Sequence, residues 1–196
     1  MPDPLAFLLT WNTYGTWLPG DERGWVKYKQ GRQAPDPIVK LEAEARMTED
    51  ACVLDDEQRM LVETTVADHC RIRGWTMLAV NCRTNHVHVV VAARHRDPDE
   101  VREQLKAWCT RRLKELDAQR GMGRPGSGEP RTQWWAERGS VRCLNDDESV
   151  EAAVRYVLEG QDLPREKTNP AAEEGDTNPT RKRGEDKPGD APARRA

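Results

Sequence analysis

At 196 residues, with 36% hydrophobic and 33% charged side chains, the chain is long enough for one cored domain but too poor in apolar residues for all of it to fold. The formal net charge is −3, and eight basic and seven acidic residues in 163–196 leave a net of −4 for residues 1–162. That balance excludes a globally basic nucleic-acid binder, so any contact with a phosphate backbone has to be local. Five cysteines (52, 70, 82, 109 and 143), odd in number and never spaced Cys-x-x-Cys, indicate neither a disulfide framework nor a zinc ribbon and predict a reducing, cytoplasmic setting. No signal peptide and no apolar run of about 18 residues is visible, so no membrane association is expected.

Taken in order, Leu5 to Tyr14 reads as a first strand whose opening is apolar on both faces, which suits the middle of a sheet. Gly15-Thr16-Trp17-Leu18-Pro19-Gly20-Asp21 breaks it with turn chemistry. Residues 20–54 show little periodicity and read as a long loop. Trp17 and Trp25 can stack on bases, since every base presents a π-face, or can pin this loop to the core, which is the commoner use. Trp17 and Arg23 are the candidate DNA contacts.

Asp55 to Arg73 is a helix closed by Gly74, with His69 packed at the core edge. Trp75 to Asn81 is a second strand, and Arg83-Thr84-Asn85 turns it into the next as an antiparallel hairpin. His95, between Arg94 and Arg96, reads as solvated. Asp97 to Arg120 is a long helix with Val101, Leu105, Trp108, Cys109, Leu113 and Leu116 inward. After a glycine- and proline-rich loop, Gln133–Trp135 and Val141–Leu144 read as one short strand or a pair. Asn145 with Glu148 is a capping box opening the last helix, on which Val150, Ala153, Val154, Val157 and Leu158 form the buried stripe. The order strand, helix, strand, strand, helix, strand, helix predicts a ferredoxin-like α+β domain over residues 1–162, a small antiparallel sheet with helices on one face. Proline aside, residues 163–196 carry no aliphatic or aromatic side chain larger than alanine after Leu163 and repeat Thr-Asn-Pro at Thr168 and Thr177, so a disordered tail is expected.

The densest chemistry lies in Asn85-His86-Val87-His88-Val89-Val90-Val91. β-Branched valines favour a strand, and alternation puts His86, His88 and Val90 on one side and Val87, Val89 and Val91 on the other. The two histidine Cα atoms then lie about 6.5–7 Å apart, near enough for both imidazoles to hold one cation. Histidine in a strand is more often a packing residue, so the pair needs support from elsewhere in the chain. Tyr156, in the last helix, projects about 120° from the apolar stripe and reads as a flank residue rather than a central core one.

His-hydrophobic-His on a central strand, one tyrosine on a C-terminal helix and the segment Thr-Tyr-Gly-Thr-Trp-Leu-Pro-Gly-Asp upstream together resemble the single-tyrosine HUH transposases, and within them the REP-associated tyrosine transposase branch. The resemblance covers roughly residues 5–162. It implies that Tyr156 attacks a scissile phosphodiester in single-stranded, hairpin-bearing DNA and forms a covalent 5′-phosphotyrosine. It implies a divalent cation, Mg²⁺ or Mn²⁺, held by His86 and His88, and REP-like palindromes as partners. Imidazole alone favours zinc or manganese, so Mg²⁺ needs an added oxygen ligand. Relatives place a polar residue one turn after the tyrosine; here that position is Gly160, and Gln161 is taken as the third ligand. Relatives act either as monomers or as homodimers that exchange the tyrosine helix, and the sequence leaves both open. The alternatives are a non-cleaving protein that binds repeated palindromes, for which Tyr156 and metal are dispensable, and a metallohydrolase using His86 and His88 without Tyr156.

Overall fold

Alternation in two adjacent strands decides the architecture, because each strand sends one set of side chains to a large core and the other set to a smaller one. The computed structural model describes residues 3–27, 30–121 and 128–159. Its elements are β1 (Ala6–Asn12), β2 (Trp25–Lys27), β3 (Gly31–Gln33), α1 (Pro37–Ala45), α2 (Asp56–Arg73), β4 (Thr76–Cys82), β5 (His86–Ala92), α3 (Pro98–Arg120), β6 (Ser140–Leu144) and α4 (Asp147–Leu158). The main sheet has four antiparallel strands in the order β4-β5-β1-β6. With crossover helices α2 and α3, this is the β-α-β-β-α-β pattern of the ferredoxin-like α+β class, as expected.

Phe7, Leu9 and Trp11 of β1 and Val87, Val89 and Val91 of β5 point to the same side, into a core with Val62, Val66 and Cys70 of α2 and Val101, Leu105, Cys109 and Leu113 of α3. The other side carries a second core, in which Ala6, Ala79, Val90 and Leu144 meet Ala153 and Val157 of α4. The expectation of helices on one face therefore needs correction. The two crossover helices share a face, while α4 covers the opposite one, because the sheet has apolar residues on both sides and neither can be left to water.

Local signals account for most boundaries. Asp55 caps α2 in a reciprocal box with Gln58, and Gly74, with φ of 69°, ends it. Asp97 caps α3. The box on α4 is formed by Asp146 and Ser149 instead of Asn145 and Glu148. Leu158 is exposed, and so is Trp108 on α3, whereas Arg102 and Lys106 are buried. Both buried cations lie under the segment leading into β6. Lys106 Nζ donates to the carbonyls of Ala136 and Glu137 at 3.1 and 3.2 Å and to Glu103, and Arg102 pairs with Asp99 and Glu103. Burial is tolerated because each charge is partnered. Gln133–Trp135 makes one bridge, Trp135 to Thr13, rather than a strand. Residues 160–196, including Gln161 and the expected tail, lie outside the described residues.

Residues 20–54 are not a featureless loop. They hold the β2–β3 hairpin and α1, short elements whose apolar residues Val26, Ile38 and Leu41 are exposed. Gly20 anchors the insertion: its φ is 83°, its carbonyl accepts from Asp36 N at 3.0 Å, and an added Cβ would collide with the Asp36 carbonyl and the Lys40 nitrogen. Gly20→Ala is therefore expected to cost more than about 1 kcal/mol and to speed amide exchange across α1, as read by hydrogen-exchange NMR. His69, 4% exposed between the rings of Trp75 and Trp108, gives a second prediction. Burial lowers its pKa below 6.5, so below about pH 6.5 the unfolded chain binds a proton that the folded one resists. Stability is complete above that pH and declines as pH falls, and His69→Gln should flatten the decline in denaturant titrations.

Candidate active site

The α4 face of the sheet changes character along its length. Register places Thr10 opposite His88 and Asn12 opposite His86 on one side of β5, and Asn81 opposite His88 on the other. Two residues along each strand stand the apolar Leu8, Val90 and Ala79. One half of this face is a small core; the other half presents histidine, asparagine and threonine. α4 crosses both. Ala153 and Val157 sit in the apolar half, and Tyr156, off that stripe and 44% exposed, reaches the polar half.

There the aromatic rings converge. His86 and His88 stand with ring centroids 4.9 Å apart at 85°, and the Tyr156 ring lies 5.6 Å from His88 at 88°. Asn81 fixes the end of the helix that carries the tyrosine, its Nδ2 donating to the Val157 carbonyl at 3.1 Å, one of the terminal carbonyls that a helix leaves without an internal partner.

His88 is only 8% exposed. Its burial, with a smaller contribution from the neighbouring His86, brings its pKa down to about 4, so the ring is neutral near pH 7. A neutral imidazole is the form that binds a cation. His88 Nδ1 lies 2.8 Å from Thr10 Oγ1, and His86 Nδ1 lies 2.7 Å from Asn85 Oδ1. Nδ1 of each ring is thus held by a side chain of the protein. Two imidazole nitrogens are donors of the kind that a borderline divalent ion such as Mn²⁺ or Zn²⁺ accepts. Among the described residues no third His, Cys, Asp or Glu joins the pair. The expected third ligand, Gln161, lies outside the described residues.

The Thr-Tyr-Gly-Thr segment acts on this site through the backbone. Thr13 N donates to the Asn85 carbonyl at 2.9 Å, and the hydroxyls of Thr13 and Thr16 reach the same oxygen at 3.2 and 3.3 Å. Thr13 thus holds the residue before His86, with the Thr16 hydroxyl shared between the Thr13 carbonyl at 3.0 Å and that of Asn85. Trp17 and Arg23 form a separate clasp. The Trp17 indole N–H donates to the Gly24 carbonyl at 2.8 Å, Arg23 lies 5.5 Å over the Trp17 ring, and its guanidinium chelates Asp21 at 2.7 and 2.9 Å. That pairing holds the Asp21 carboxyl at about 2. Much of the Arg23 charge is therefore already answered within the loop. His69 is buried against Trp75 and Trp108, and His95 pairs with Asp3; neither joins the site.

Sequence reasoning missed Thr10, Asn81 and the bracing role of Thr13 and Thr16. Only strand register brings Thr10 and Asn81 to His88, and no local signal encodes it; Asn85 adjoins the histidine motif and was the one partner that proximity in sequence could have suggested.

No protein-family model and no curated protein matches the chain. Among solved structures, the fold is similar to a candidate transposase from Deinococcus radiodurans R1, at 17% identity over 82% of this chain and 93% of that one, with a TM-score of 0.44. It is also similar to a REP-associated tyrosine transposase bound to a REP hairpin, at 10% identity over 80% of this chain and 66% of that one, again with a TM-score of 0.44. These are likenesses of fold, and nothing about this chain's chemistry follows from them. No described helix is long and apolar enough to cross a membrane.

If Asn81 holds the tyrosine helix in place, Asn81→Ala should cost about 1 kcal/mol and raise exchange of the last-turn amides of α4. The amides of β5 should stay protected in the same hydrogen-exchange experiment.

Proposed function

We propose that the protein nicks and rejoins single-stranded, hairpin-bearing DNA through a covalent tyrosine intermediate, in the manner of the REP-associated tyrosine transposases that its motifs resemble. The observation that carries this reading is the Tyr156 ring standing 5.6 Å from His88, which itself stands 4.9 Å from His86. A tyrosine serving only to shield a sheet edge has no need of a paired-histidine floor, one ring of which is kept neutral by burial.

In the proposed reaction Tyr156 Oη gives up its proton and attacks the scissile phosphorus, forming a P–O(Tyr) bond while the P–O3′ bond breaks. The 3′ oxygen leaves and takes a proton, and the 5′ phosphate stays on the tyrosine. One phosphodiester is exchanged for another, so a second 3′-hydroxyl can reverse the step without ATP. His86 and His88 hold the divalent cation, Mg²⁺ or Mn²⁺, which when bound polarises the phosphate and steadies the departing oxygen. Gln161, which lies outside the described residues, would supply an oxygen ligand. The exposure of Tyr156 lets a strand reach the phenol. Trp17 offers a partly open ring to an unpaired base, while Arg23, committed to Asp21, positions that ring more than it neutralises phosphate.

The protein, incubated with hairpin oligonucleotides and Mn²⁺ or Mg²⁺, should yield an adduct that survives SDS. EDTA and Tyr156→Phe should each reduce it by at least 100-fold. Hairpin binding that persists with no adduct under any of these conditions would establish the non-cleaving palindrome binder instead. Cleavage that survives Tyr156→Phe would point to a metal-bound water.

A further inference from the structure

We infer that Arg142, with Ser140 and Asn12, seats the sugar–phosphate backbone of a DNA single strand beside Tyr156, so that the strand crosses the sheet between β6 and the histidines. The inference rests on the DNA-nicking reading above and deepens it by naming residues that carry the strand.

Histidines aside, the four strands of the main sheet contain one charged residue, Arg142. Register decides its side. Arg142 stands opposite Leu8, whereas its neighbour Val141 stands opposite Leu9 and packs on the main core, so Arg142 and Ser140 belong to the α4 face. Ser140 is in register with Thr10, and Thr10 with His88, which puts Ser140 about 10 Å from His88, two strands away. Asn12 lies opposite His86 on the same face. Polar side chains therefore lead from the sheet edge to the site, where the Tyr156 ring lies 5.6 Å from His88.

Their bonding sets these three apart from their neighbours. The side chains of Thr10, Asn81 and Asn85 are each committed to a hydrogen bond within the fold. Those of Asn12, Ser140 and Arg142 make no hydrogen bond or ion pair with any described residue, and Ser140 and Arg142 are exposed. A guanidinium fork matches phosphate oxygens, and a hydroxyl and an amide add neutral donors of the kind that hold a strand without reading its sequence. Charge points the same way. With a net of −4 over residues 1–162, a phosphate contact has to be local, and Arg23 is already chelated by Asp21. Arg142 is uncommitted and stands on the face that carries the tyrosine. Its strand is also fixed where it begins: a Cβ at Gly139 would collide with the Thr10 carbonyl, and the buried Arg102 donates to the Gly139 carbonyl at 3.4 Å.

The test is binding of a fluorescein-labelled oligothymidine to the full chain, followed by anisotropy in EDTA over a range of salt; no target sequence is needed, because phosphate contacts carry none. Arg142→Gln should weaken binding by about 10-fold or more and lower the slope of log affinity against log salt by about 0.7, the share of one single-strand phosphate. Arg142→Lys should restore the slope. Asn12→Ala and Ser140→Ala should each weaken binding by about 2–10-fold with the slope unchanged. Arg94→Gln, which removes an equal charge from an exposed position beyond the far end of β5, should alter neither quantity. A wild type that does not bind, an Arg142→Gln protein that binds as wild type does, or an equal loss from Arg94→Gln would overturn the inference. The nicking reading is judged separately by the SDS-stable adduct. Binding that depends on Arg142 in a protein that forms no adduct upholds the seat and sinks that reading, whereas an adduct formed as readily by Arg142→Gln and Asn12→Ala as by wild type sinks the seat alone.

Discussion

The period-two alternation of β5 is the constraint on which the remaining structure depends. Val87, Val89 and Val91 are committed to the core beneath α2 and α3, so His86, His88 and Val90 have no choice but the opposite face. A slip of one residue would put both imidazoles among the aliphatic side chains beneath α2 and α3 and move the three valines to the α4 face. Burial of the valines, at about 1.5–3 kcal/mol each, is what pins the register and, through it, the histidines. The site is thus held by a core that contains none of its residues.

The second consequence is on the α4 side. A sheet face that is apolar throughout would be covered by a helix and closed; one that is polar throughout would be left to water. Here the face is divided, with Ala6, Leu8, Ala79 and Val90 at one end and Thr10, Asn81, His86 and His88 at the other. A single amphipathic helix can dock on the first half and carry Tyr156 over the second. Docking and the presentation of Tyr156 are separated along one helix, so α4 needs no long buried stripe: Ala153 and Val157 suffice, with Val150 and Val154 half-buried beside them. The polar half does not remain unsatisfied either, since Thr10, Asn81 and Asn85 engage His88, Val157 and His86.

How much was legible in the sequence follows the range of the interactions concerned. The strand carrying His86 and His88, the hairpin before it and the helix closed by Gly74 are written in local patterns and appear where those patterns put them. The placement of α4 on the opposite face was not legible, because binary patterning tells which side of a helix is buried and not which side of the sheet it covers. α1 and the β2–β3 hairpin escaped because Ile38, Leu41 and Val26 are exposed, leaving no periodic burial to detect. Arg102 and Lys106 lie inside through partners some thirty residues away, a contact that no periodicity anticipates. Within the site, His86, His88 and Tyr156 were legible as residue types in an order, whereas Thr10 and Asn81 depend on strand register.

The central claim is that two strand histidines and one helix tyrosine, distant in sequence, share a single cation-holding site. Titration of the labelled protein with Mn²⁺, followed by paramagnetic broadening of ring signals, tests it without any DNA substrate. At substoichiometric Mn²⁺ the rings of His86, His88 and Tyr156 should broaden together and first, with His69 and His95 affected only at higher concentration. Broadening that begins at His95 or at the acidic surface, while His86 and His88 stay sharp, would contradict the account.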